Sequence, residues 1–393
     1  MVIFQGPISG GTDKLLIHLI NDWPNKSTKW LIFLHHQNSG NELIINQLQY
    51  SNTKTIIYNI GNYDYKISNN IYLNLIKRYF VKIKRLMSAV TLFMYFKTNL
   101  MKHSPDLLYL HNGGYIGSFD LHIAGLAVKR FKNIKSIMGI QNLPALTGCG
   151  PVSRLFNYIS NSTIDAYILG NKRTKKVFES NTKLDKKKLY AIDEGVNVNQ
   201  QKKQQINHSQ NINIAMIGTY EERKGHAILL KALDVLSVMK SKHKININFY
   251  GQSKYGNIFK IKELANNLGL SHLINYHEYE KNIDKLYLMQ DIIVLPSIHS
   301  ETMPLVLIDA MAYYKPIIGS KLQGVMDLIE HEVNGYLFDI GDYNALATYL
   351  EKLIQDQHLR ISFGSAGRKR YESRFTAKRM ANEYHDVFIK TVN

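Results

Sequence analysis

Two carboxylates are the first residues of this chain with evident chemical purpose. In "SIHSETMPLVLIDAMAYYKPIIGS", residues 297–320, Glu301 lies on a loop just after a strand-like run, and Asp309 lies inside the apolar run "PLVLIDAMAYY". A buried, unpaired carboxylate costs several kcal/mol, so Asp309 requires a donor from the protein or from a ligand. An internal Lys or hydroxyl would satisfy it, and so would the hydroxyl pair of a ribose. "DIIVLPS" reads as a strand, "IHSE" as the loop at its carboxyl end, and Pro304 as a favoured first-turn residue of the following helix. The N–H groups of Thr302, Met303 and Leu305 would then point out of the helix start towards an anion. Upstream, "IGTYEERKGHAILLKAL" places Gly218 and Lys224 where a strand meets a helix, a frequent location of phosphate sites. The plainer reading of that turn is a β–α connection with an exposed lysine. Neither G-x-G-x-x-G nor G-x-x-x-x-G-K-[ST] occurs, so a dinucleotide fingerprint and a P-loop are both absent. No D-x-D pair is present to hold a divalent cation between two phosphates, and no metal or other cofactor is expected.

The elements that must position these residues alternate regularly. Short apolar runs recur as "VIFQG", "KWLIFLHH", "TKTIIYN", "DLLYLHN", "IKSIMGI", "IDAYILG" and "KLYAID", most of them separated by helix-length segments. The polar stretch "NQQKKQQINHSQN", 199–211, interrupts the pattern and reads as a linker. Alternation then resumes with "INIAMIG", "ININFYG", "LINYHEY", "DIIVLPS", "KPIIGS" and "NGYLFD". Strands that are nearly all apolar, alternating with helices, predict parallel sheets buried on both faces. Two doubly wound α/β domains are expected, over 1–200 and 201–370, with ligands at the carboxyl ends of the strands. Two domains also suit a chain of 393 residues, which exceeds what one core usually fills.

Composition narrows the remaining classes. At 45% hydrophobic and 20% charged the chain is ordinary for a globular protein, and its single cysteine, Cys149, excludes an internal disulfide framework. No signal peptide or run of roughly 18 to 20 apolar residues is evident, the longest tempting stretch being "LMSAVTLFMYF" at 86–96. A cytoplasmic protein is therefore expected. The net charge of +18 is unevenly spread: from Lys66 to His103 there is no acid, while Lys77, Arg78, Lys82, Lys84, Arg85, Lys97 and Lys102 accumulate. Tyr79, Phe80, Leu86, Met87, Leu92, Phe93 and Phe96 are interleaved with them. Such a helix reads as an element for an anionic membrane surface, the alternative being a solvated helix packed on its own domain. Nucleic acid is not expected as a partner, because no recognition motif accompanies the charge.

The pattern E-x7-[E/D] followed by A-M-A-x-x-K-P-I-I-x-S, Glu301 to Ser320, resembles the family-four (group 1) glycosyltransferases of the GT-B fold. "LGLSHLINYHEYEKNIDKLYLMQDIIVLPS" and "LQGVMDLIEHEVNGYLFDIGD" follow that family's order, and "YESRFTAKRMANEYHDVF" resembles its closing helix. The resemblance is strong over 212–390 and thin over 1–200. It implies two Rossmann-like domains facing across a cleft: 1–200 for the acceptor, 201–370 for the nucleotide-sugar donor, and 371–393 as a helix packing back on the first. It further implies that Asp309 holds ribose, Glu301 the donor sugar and Lys224 the diphosphate, with Gly218 at the donor-binding turn. Gly10 and Gly11 in "SGGTD" match the glycine loop that closes over phosphate and sugar. Transfer with retention of anomeric configuration and without a metal is implied.

Three departures stand out. The second acid, usually Glu, is Asp309. The usual Arg of the turn after the first strand of the second domain is Thr219, with Arg223 as a substitute charge. The histidine after the "I-x-S-I" strand is Gln141. His111, at another strand end, is a weaker acceptor-side candidate for which a structural role is the simpler reading. The expected activity is transfer of a sugar to a glycan or lipid-linked acceptor in surface polysaccharide synthesis, such as lipopolysaccharide or capsule, at the inner face of a membrane. A sugar-nucleotide epimerase or hydrolase and a non-catalytic membrane-associated subunit are the alternatives.

Overall fold

The computed structural model describes residues 1–4, 11–35, 39–60, 71–112, 119–142, 158–198, 211–238, 244–252, 257–278, 280, 282–299 and 301–393, with backbone course alone for 39–40, 71–86, 112 and 257. Gly10, Cys149 and most of the polar linker, 199–210, lie outside these residues. The chain forms two compact units: Met1–Glu194 with Ala377–Asn393, and Gly195–Thr376. The second unit therefore begins before residue 201 and ends beyond 370. The reason is local: Val196 bridges Thr376, its N–H donates to the Phe375 carbonyl at 3.0 Å, and Tyr371 Oη donates to the Val196 carbonyl at 3.0 Å.

Unit 1 holds a seven-stranded parallel sheet in the order β3-β2-β1-β4-β5-β6-β7. The strands are β1 Val2–Phe4, β2 Trp30–His35, β3 Thr53–Tyr58, β4 Leu107–Asn112, β5 Lys135–Ile140, β6 Ala166–Leu169 and β7 Leu189–Ala191. Alternate side chains feed two cores, as a sheet covered on both faces requires. Phe4, Ile32, Leu34 and Tyr109 join a layer with Leu16 and Ile20 of the helix Gly11–Asn21 and with Met380, Tyr384 and Phe388 of the helix Ala377–Val392. Ile3, Phe33, Leu110 and Met138 face the other way, onto the helices Ile71–His103 and Phe119–Val128.

The long helix Ile71–His103 corrects one expectation. Leu92 and Phe96 are fully buried in that second core and Phe93 packs against it, so these three serve the unit's own interior. The apolar residues turned outward are instead Met87, Val90, Met94 and Met101, each more than half exposed. Their spacing of 3, 4 and 7 places them on one helical stripe opposite the buried one. Among the described residues no helix is long and apolar enough to cross a membrane.

Unit 2 holds a six-stranded parallel sheet in the order β10-β9-β8-β11-β12-β13. These are β8 Asn211–Ile217, β9 Lys244–Tyr250, β10 Ile274–His277, β11 Ile292–Leu295, β12 Ile317–Ser320 and β13 Gly335–Phe338. The chain runs outward from β8 through β9 to β10, then returns to lay β11 on the other side of β8. The order thus reverses between β8 and β11, and sheets of this kind bind ligands beyond the carboxyl ends of the strands at such a switch point.

Candidate functional site

The turn after β8 and the loop after β11 meet at this switch point, and each is held by a glycine that nothing else could replace. Gly225 ends the short 3-10 turn Glu222–Lys224 with φ 81°, and a Cβ there would lie 1.9 Å from the Pro296 carbonyl oxygen. The chain after β11 can therefore run against the turn, where Ile298 N–H donates to the Arg223 carbonyl at 2.8 Å. On the other side, a Cβ on Gly324 would lie 2.4 Å from the Glu301 carbonyl oxygen, and Gly324 N–H donates to that oxygen at 3.1 Å. The backbone carrying Glu301 is clamped between the two contacts.

The side chains converge accordingly. Lys224 Nζ donates to Glu301 Oε1 at 2.7 Å, Ser297 Oγ donates to the same oxygen at 2.7 Å, and Arg223 Nη1 stands 3.8 Å from it. Glu301 is 8% exposed and the Lys224 side chain 14%. This is a buried ion pair in which the acid's contacts with both cations fall on one oxygen. Ser297 is itself fixed, its carbonyl accepting from Ser320 Oγ at 2.5 Å. Arg223 Nε donates to Glu221 at 2.7 Å. Burial would raise the Glu221 carboxyl, but the Arg223 bond and charge outweigh it and hold the group below its usual range. His226, at the start of the next helix, lies between the rings of Tyr220 and Phe249; burial and the Lys224 charge hold it down to about 4, so it is neutral at physiological pH.

The other expected residues are distributed around this centre. The Lys224 stem passes Gly218 at ordinary van der Waals distance, 3.5 Å from where a Cβ would stand. The helix after the loop runs Leu305–Ala312, with Pro304 capping it rather than filling its first turn and without a side-chain cap bond. Met303 and Leu305 are buried and Thr302 is half-buried. Asp309, in the middle of that helix, is buried beside Tyr313. Thr219 is half-buried at the turn. Ser297, Glu221 and Gly324 were not singled out from sequence, whereas Gly225 was legible as a glycine at the strand–helix junction beside Lys224.

In unit 1, Gly11 opens its helix in an exposed position. His111 is fully buried: Tyr109 Oη lies 3.0 Å from its Nδ1 and the Thr12 carbonyl 2.9 Å from its Nε2. With both nitrogens engaged, and burial holding it down to about 4, His111 pins the first turn of the helix Gly11–Asn21 rather than offering a nitrogen to a ligand. Gln141 is buried at the end of β5, beside the Tyr384 hydroxyl. Among the described residues, no three His, Cys, Asp or Glu side chains group as a metal would require.

Comparison with known proteins places this geometry. Residues 197–370 match the family model for glycosyl transferases group 1. The chain is 28% identical over 128 residues to N-acetyl-alpha-D-glucosaminyl L-malate synthase of Bacillus anthracis, covering 33% of each chain. It is 32% identical over 102 residues to the capsular polysaccharide biosynthesis glycosyltransferase CapM of Staphylococcus aureus, covering 26% of this chain and 27% of the relative. The chain thus spans about a third or less of the length of these curated relatives. In fold it is similar to Anabaena Alr3699/HepE in complex with UDP-glucose, with a TM-score of 0.75 at 17% identity over 99% of this chain and 98% of the other. A glycosyltransferase from Rickettsia africae gives a TM-score of 0.76 at 17% identity over 100% and 98%. The fold is that of the GT-B glycosyltransferases, and residues 197–370, a little under half of the chain, are similar to the group 1 glycosyltransferases.

Proposed function

We propose that the protein transfers a sugar from a nucleotide-sugar to an acceptor hydroxyl, without a metal and with retention of anomeric configuration. The observation that carries this reading is the buried Glu301–Lys224 pair at the β8/β11 switch point, with Arg223 beside it. A diphosphate arriving there competes with Glu301 for Lys224 and Arg223, so the leaving group gains charge stabilisation as Glu301 turns to the hydroxyls of the donor sugar. Amides at Thr302, Met303 and Leu305 supply further donors. Asp309 takes the ribose, far from the reacting bond. As the bond from the anomeric carbon to phosphate breaks, the acceptor oxygen forms its bond on the same face, and its proton passes to the departing phosphate.

The acceptor is proposed to be a glycan on a lipid carrier at the cytoplasmic face of a membrane, in surface polysaccharide synthesis. The acid-free helix and its outward methionine stripe support that partner, and capsular polysaccharide synthesis in the name of the S. aureus relative supports the pathway class. UDP-glucose bound to Alr3699/HepE supports the donor class. Incubation of the purified protein with a panel of nucleotide-sugars is expected to show slow release of nucleoside diphosphate from one of them, unchanged by EDTA. Epimerised donor in place of released diphosphate would favour an epimerase, a strict metal requirement would refute the mechanism, and inertness towards every donor would favour a non-catalytic subunit.

A further inference from the structure

At the edge of the unit 1 sheet, beside β7, a groove of about 600 Å³ opens among the helix Lys172–Asn181, the short turn Lys186–Lys188 and the end of the helix Ala377–Val392. Lys172, Lys175, Lys176, Lys186, Lys187 and Lys390 line it. Glu179 is the one acid of the lining, 3.8 Å from Lys175. The Lys390 ammonium stands over the Tyr190 ring, 5.4 Å from its centre. Lys188, in the same basic run, is turned into the fold and spends its charge on the carbonyls of Asn161 and Ile164 at 2.8 and 2.7 Å. The six lining lysines have no comparable set of acceptors in the groove.

This arrangement opposes the stability of the fold that carries it. Like charges crowd a concave surface, and three of them stand in the first turns of a helix, where the macrodipole disfavours cations. A single carboxylate would neutralise one of the six; relief requires several negative charges in one compact group. We infer that the groove binds more phosphate charge than a diphosphate carries, as a triphosphate or longer chain or as phosphomonoester headgroups clustered on a lipid surface, at a site separate from the Lys224 centre of unit 2. Compact ammonium groups on flexible stems reach phosphate oxygens from several directions, which suits them to this ligand. The phosphate can belong to a free phosphoanion or to a lipid headgroup.

The test titrates inorganic tripolyphosphate into the full chain by calorimetry, with nucleoside diphosphate present to saturate the Lys224 centre. One additional site per chain is expected, with affinity falling steeply as salt rises. The variant K175Q/K186Q/K187Q is expected to lose at least tenfold in that affinity and to keep nucleoside diphosphate binding unchanged, which also shows that it is folded. A second arm compares vesicles containing phosphatidic acid with phosphatidylserine vesicles of equal charge. A preference for phosphatidic acid that the variant lacks places the phosphate on a lipid, and tripolyphosphate binding without such a preference places it in solution. No saturable titration in either arm, equal competition by sulfate at matched ionic strength, or an unaffected variant would each overturn the groove. Tripolyphosphate binding without any nucleoside diphosphate binding would refute the donor reading and leave the groove standing.

Discussion

Glu301 is held by its own counter-ion, which separates what its charge does from what its shape does. Glu301→Gln keeps the oxygen that accepts from Lys224 and Ser297, so the fold should persist. Turnover should fall on the order of 10²-fold or more if the charge acts on the sugar in the transition state. Glu301→Ala should lose turnover and also about 3–5 kcal/mol of stability, because Lys224 is left without its partner in a buried position. Asp309→Asn should behave differently, raising the donor KM more than Glu301→Gln does, since a remote ribose contact serves ground and transition states alike. Thermal protection by nucleoside diphosphate should be smaller in the Asp309 variant than in wild type; equal protection would remove ribose from its role. That Glu301, Lys224 and Arg223 share one site was legible through the family resemblance, since the apolar alternation placed each after a strand without giving the strand order that sets β8 beside β11. Ser297 and Glu221 were not, since a serine and a glutamate in loops carry no spacing that marks them.

The helix Ile71–His103 spans about 50 Å at the rise of an α-helix, and its apolar residues serve two purposes that composition could not separate. The thirteen strands among the described residues coincide with apolar runs visible in the sequence, because strands of a sheet covered on both faces are rich in apolar residues. A helix with two apolar faces gives no such signal: the period is the same for Leu92 and Phe96, which fill the core, as for Met94 and Met101, which do not. Its acid-free flank and net positive charge favour an anionic lipid surface over a second copy of the same basic chain. Wild-type protein should co-sediment with anionic and not neutral vesicles, with adsorption lost as salt rises. Reversing Lys77, Arg78, Lys84 and Arg85 to Glu should abolish adsorption. Exchanging Met87, Met94 and Met101 for Gln should weaken it with less than about 0.5 kcal/mol change in stability, as expected at exposed positions. Indifference of wild type to anionic vesicles at low salt would return the whole helix to a solvated role.

Stability against pH brings together groups that no local pattern could have identified, because their burial depends on segments far apart in the chain. Glu194 follows β7, and its Oε1 lies 3.0 Å from where a Cβ on Gly170 would stand, with Tyr109 and Tyr384 close enough to sense its charge. Burial, with the neighbouring Asp193 carboxylate, pushes Glu194 up from 4.5 to about 8. His111 and His226 are held in the opposite sense, from 6.5 down to about 4, each chiefly by burial. Between pH 4 and 6.5 the unfolded histidines bind protons that the folded ones refuse, so each subtracts on the order of 3 kcal/mol as pH falls across that window. Glu194 runs the other way: its contribution is complete below pH 4.5 and lost as pH rises to 8, on the order of 5 kcal/mol in all. His18, likewise held down to about 4 by burial and the Lys14 charge, acts in the same direction as His111 and His226, so the raw profile mixes the signs. The Glu194 contribution is isolated by subtracting denaturant-unfolding free energies of E194Q from those of wild type at fixed ionic strength. The difference should favour wild type most at pH 4.5 and fall steadily to pH 8, where Gln at 194 avoids the cost of burying a charge. A flat difference across that range would mean that Glu194 ionises in the fold as it does in water.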